Sequence, residues 1–217
     1  KWASFGTSTY LAQYEVIPVA LAADWTDDVN NNTRRAAIRE WLCEWAVILN
    51  TNLGTLDSGD YINQRAGNVA ALGIALMEFA GKSTGACSWP GSAEARIADI
   101  IAWHDDFLVD YWQDGRYYQQ GPHYDDLSIQ SNLVFLAAAE EAGLLSGSST
   151  AAVNLLDGFL HQSIPPERIF QWGDTTEKAA DDLGQLHTHF AYLLHVTGNQ
   201  PEHYWLWRSM RGGADIW

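Results

Sequence analysis

Residues 33–50, TRRAAIREWLCEWAVILN, place Ile38, Trp41, Leu42, Trp45, Ile48 and Leu49 three and four positions apart. At that spacing side chains line one face of an α-helix, so this stretch predicts an amphipathic helix. The same period recurs over residues 9–23, 63–81, 93–112, 126–143, 149–162, 176–197 and 200–210, with Gly, Pro, Ser, Asn and Asp clustered between the segments. No segment reads as a convincing strand pair, and the expectation is an all-α chain of eight helices.

Several helix interiors are rich in alanine, as in VAALGIALMEFAG and LVFLAAAEEAG. Small side chains let neighbouring helices approach closely, which suits antiparallel helical hairpins set in a layer or ring. A repeat of fixed length is absent, and a regular solenoid therefore loses ground. With no low-complexity linker, the 217 residues are read as a single domain, 1–217.

Charge narrows the partners. Against 12 Lys and Arg stand 27 Asp and Glu, a net charge of −15, and whole-surface repulsion of that sign opposes binding to nucleic acid or an anionic membrane. No apolar run is long enough to span a bilayer. The chain starts at Lys1 with no signal peptide, as a processed or truncated product would. Cys43 and Cys87 are too few for a disulfide framework and lack the CxxC or His spacing of a zinc site; whether they pair stays open. Asn31-Asn32-Thr33 matches a glycosylation sequon, a short pattern that also arises by chance. The 11 Trp and 9 Tyr fill space between helices in most helical proteins, and they also stack on sugar rings.

Three segments concentrate chemistry. The first, Asp60-Tyr61-Ile62-Asn63-Gln64-Arg65, precedes the helix GNVAALGIALMEFAG. Asn63 at a helix start is an ordinary cap, but an amide beside the Arg65 guanidinium also offers donors to a carboxylate. In the second, DGRYYQQGPHY at 114–124, Tyr117, Tyr118, Gln120, His123 and Tyr124 crowd a phenol and an imidazole into one loop, where a phenolate can serve as base and the phenol as acid. The third is Gln171-Trp172-Gly173-Asp174-Thr175-Thr176-Glu177, followed by Leu186-His187-Thr188-His189. Asp174 with Glu177 makes a capping box, Trp172 a sugar-stacking face, and His187 and His189 fall on different faces of a helix, which suits no metal. GxSxG, P-loop, dinucleotide and HExxH patterns are missing, so no metal or cofactor is expected.

In this order the three segments resemble the α/α-toroid polysaccharide lyases, the group of chondroitin AC, hyaluronate and alginate lyases and the heparinase II/III-like proteins. The similarity covers roughly residues 60–200 and lies in NQRAGNVAALGIAL, in the DG-aromatic-to-GP segment, and in GDTT, which is similar to the GDS element of heparinase-like members. It implies an incomplete or small (α/α) toroid, either a fragment or a reduced relative, since further helices and a C-terminal β-sandwich are missing. Asn63 then matches the residue that binds the substrate carboxylate, and Tyr124 the tyrosine that takes the C5 proton and protonates the leaving oxygen. Chondroitin-lyase-like members carry a His where this chain has Gln120, which leaves His123 or His187 for that part. Gln64, Arg65, Tyr117, Tyr118, Gln120, Trp172 and Asp174 are the implied substrate-binding residues.

The resemblance further implies an anionic polysaccharide partner and a secreted or periplasmic location. With net charge −15, such a substrate requires a positive cleft near Arg65, Arg116 and Arg168. Two other readings stay open. One is an α/α-barrel glycoside hydrolase using Asp125, Asp126 and Asp174 as acid and base; the other is a glycan-binding relative without catalysis.

Overall fold

The computed structural model describes residues 12–26, 31–56, 63–107, 122–144, 163–164, 168–169 and 201. For residues 63, 64, 105, 107 and 122–130 and for the two short strands it defines the backbone only. Five helices are described: α1 (Ala12–Trp25), α2 (Asn32–Leu53), α3 (Asn63–Phe79), α4 (Ala93–Phe107) and α5 (Pro122–Glu141). Each of the five overlaps a segment that the apolar period predicts. The expected helices at 149–162 and 176–197, and nearly all of that at 200–210, lie outside the described residues.

The chain divides into two compact units, Lys1–Trp103 and His104–Trp217. In the first, α3 packs against both α1 and α2, which also touch each other. Residues 66–76 of α3 are buried without a break, the pattern of a helix covered on every side rather than along one stripe. That explains its composition: Leu72 and Leu76 are wholly buried, each stabilising by about 1.5–3 kcal/mol, while the intervening Ala and Gly let neighbours come close. Gly67 is a point of close approach, because a Cβ there would overlap the side-chain amide of Gln13 from α1. On α1, Ala12, Gln13, Val16, Ile17, Ala20 and Ala23 form the buried stripe. Pro18 lacks the N–H that would extend the ladder of that helix, and it lies at an exposed position.

Helix ends follow their local chemistry. Asn31, first residue of the sequon, is the N-cap of α2: its side-chain oxygen accepts from the Arg34 N–H at 2.9 Å. Ser92 opens α4 in the same manner, its Oγ accepting from the Ala95 N–H at 3.0 Å. Oγ also donates to Glu94 Oε2 at 2.8 Å. The backbone amide of Glu94 and this hydroxyl hold the Glu94 carboxyl below its usual range. Arg39 Nε donates to Glu78 Oε1 at 3.2 Å, tying α2 to α3 through a largely buried pair, and Lys82 Nζ lies 3.6 Å from the same oxygen.

Cys43 and Cys87 form a disulfide. The bond joins the wholly buried middle of α2 to the connection between α3 and α4. That connection is further held by Thr84 Oγ1 donating to the Cys87 carbonyl at 2.8 Å, and by Trp89 packing on Phe79 with ring centres 6.1 Å apart.

In the second unit α5 starts at Pro122, four residues earlier than its apolar period predicts, so Pro122, His123, Tyr124 and Asp125 belong to a helix and not to the preceding loop. The reason is local: proline lacks the N–H that a first helical residue leaves unbonded, and its fixed φ suits that position. Among its described side chains, Leu133, Phe135, Leu136 and Ala139 are the buried apolar ones. The helix closes through Gly143 at φ 68°, with Leu144 N–H donating to the Ala139 carbonyl at 2.8 Å and Gly143 N–H to that of Glu140 at 2.9 Å. A two-residue antiparallel ladder pairs Ser163 with Ile169 and Ile164 with Arg168. It was not foreseen, since two residues a side are too few to show alternation.

Candidate functional site

The first candidate element is the N-terminus of α3. Asn63 and Gln64 are its first two residues and Arg65 the third. Sequence reasoning thus placed Asn63 correctly at a helix start, where unbonded backbone N–H groups and the positive end of the helix dipole favour an anion. Arg65 Nη2 donates to the Thr55 carbonyl at 2.8 Å, just beyond the end of α2. Arg96, from the first turn of α4, does the same for the adjacent residue, Nη2 donating to the Gly54 carbonyl at 2.7 Å. Asp99 Oδ2 lies 3.6 Å from Arg96 Nη1.

The second candidate element is the first turn of α5, which carries His123, Tyr124, Asp125 and, one position on, Asp126. Asn63 therefore belongs to the first unit, and His123 and Tyr124 to the second. Tyr117, Tyr118, Gln120, Trp172, Asp174 and His187, with Arg116, lie outside the described residues. Arg168 is placed in the short ladder by its backbone.

Two polar features escaped the sequence reading. Arg96 is one, and a signal for it was present: a basic residue in a helix's first turn opposes the dipole, so it needs an acceptor outside that helix. The other is His104, fully buried at the start of the second unit, with Nε2 at 2.6 Å from Oδ1 of the equally buried Asn132 and its ring against Phe135 at 4.3 Å between centres. This pair satisfies polar groups inside the packing of α5. Among the described residues no cluster of three His, Cys, Asp or Glu could hold a metal ion, and no helix is long and apolar enough to cross a membrane. No protein-family model matches the chain, and no curated protein or solved structure matches it.

Proposed function

We propose that the chain is a polysaccharide lyase that cleaves a uronic-acid-containing polysaccharide by β-elimination, its helical hairpins belonging to a small (α/α) toroid. The observation that carries this reading is that the two residues asked to handle negative charge, Asn63 and Tyr124, both fall in the first turn of a helix. That is the end at which backbone dipoles and unbonded N–H groups favour an anion. At α3 the anion is the substrate carboxylate, whose neutralisation by Asn63 acidifies the neighbouring C5–H. At α5 it is the Tyr124 phenolate, which takes that proton. The electron pair of the C5–H bond forms the C4–C5 double bond as the C4–O bond breaks, and the leaving oxygen receives a proton from the Tyr124 phenol. His123 or His187 completes the acid-base set, and Gln64, Tyr117, Tyr118, Gln120, Trp172 and Asp174 hold the sugar rings. The Cys43–Cys87 disulfide supports a secreted or periplasmic location, because such bonds persist in oxidising compartments.

The test is a screen of uronate polymers for the ultraviolet absorbance of the unsaturated product, with Tyr124→Phe beside the unmodified protein. Loss of one acid-base group is expected to lower kcat by about 100- to 10,000-fold. Equal activity in the variant, or no absorbance on any polymer, overturns the proposal; reducing ends released without absorbance would assign the chain instead to hydrolysis by Asp125, Asp126 and Asp174.

A further inference from the structure

Arg65 and Arg96 stand at the unfavourable ends of their helices. Each lies in a first turn, third residue of α3 and fourth of α4, where the positive pole of the dipole repels a cation. Each also reaches the opposite pole of a third helix. Gly54 and Thr55 follow directly on Leu53, the last residue of α2, where unbonded carbonyls carry partial negative charge. Gly54, at φ 61°, turns the chain there and donates its N–H to the Asn50 carbonyl at 3.0 Å. Two guanidiniums from two helices therefore hold consecutive carbonyls of one turn, at 2.8 Å and 2.7 Å. One of those contacts joins residues 42 positions apart in the chain. The Arg96 side chain is only 14% exposed, so it is built into the packing rather than lying on the surface.

We propose that Arg65 and Arg96 are positioning residues for Asn63: they clamp the turn at the C-terminal end of α2, Arg65 doing so from the first turn of α3 itself, and so fix where that first turn presents its donors. Arg65 then acts through Asn63 and not by gripping the polymer. The clamp stands on the geometry alone, whereas its consequence for turnover rests on the lyase reading.

Arg96→Met and Arg96→Lys separate the two. In Arg96→Met, amide hydrogen exchange at Gly54, whose N–H is bonded to the Asn50 carbonyl, and at Gly67, the first amide of α3 with an acceptor inside the helix, should quicken about tenfold, as expected for loss of a charge-assisted hydrogen bond, while α5 is unchanged. Arg96→Lys, which can still donate to the carbonyl, should restore most of the protection. On a cleaved polymer, Arg96→Met should lower kcat by about 10- to 100-fold, the scale of a small misplacement of a reacting group. KM should hold, and Arg96→Lys should recover the rate. Unchanged exchange overturns the clamp; quickened exchange with intact kcat, or an effect confined to KM, overturns its role at Asn63. If the unmodified protein cleaves no polymer, the lyase reading fails together with that role, and exchange still decides whether the clamp exists. Should Arg96→Met not fold, Arg96→Gln set against Arg96→Lys provides the same contrast.

Discussion

A methyl group added at Gly67 would enter the space of the Gln13 amide, which is itself buried between α1 and α3. Gly67→Ala should therefore destabilise the first unit by about 1–3 kcal/mol, the usual cost of overpacking, measured as a lower denaturant midpoint. Gln13→Ala in the same chain should return part of that loss, because the two changes meet at one contact. Alanine and glycine in GNVAALG foretold that a neighbour comes close; that the neighbour is α1, touching through a glutamine, depends on tertiary register that a one-dimensional pattern does not carry. Arg65 makes the same point: its Nη2 meets the Thr55 carbonyl, an acceptor with no side-chain signature in the sequence.

Helix ends show which signals are readable along the chain. Asn31 caps α2, and the same Asn-Asn-Thr string that spells a sequon is there a helix start. Asn31→Ala should cost the first unit about 1 kcal/mol and Asn31→Asp close to nothing, since a carboxylate caps as well as an amide; thermal unfolding of both variants checks this. Interiors of α1 to α5 were legible because apolar periodicity persists over several turns. The start of α5 was not, because Gly-Pro reads equally as a loop break and as the entry to a helix, and only the backbone after Pro122 decides. This matters for the candidate site, because the backbone of His123 and Tyr124 is helical.

At the scale of the whole chain, the first unit is organised around a helix that meets no solvent over residues 66–76 and is secured by a bond the sequence left undecided. Two cysteines 44 residues apart carry no pairing information in their spacing; their pairing follows from α2 and the α3–α4 connection meeting in space. Closing a loop of that length should contribute about 4 kcal/mol by restricting the unfolded chain. Unfolding of a Cys43→Ala, Cys87→Ala double variant in denaturant should show a loss of this order. The net charge of −15 bears on the proposed substrate in a similar way. Whole-chain repulsion of a polyanion makes local donors at helix N-termini decisive, and those were only partly visible in composition.

The disulfide also determines what a protease could accomplish. Every residue of α3 lies within the stretch spanned by Cys43 and Cys87. A single cut anywhere inside that stretch leaves both fragments covalently joined, with the central helix still tethered to α2 or to the connection into α4. Covalent separation of α2 from α3 by a single cut between them therefore also requires reduction of the disulfide, and neither event suffices alone.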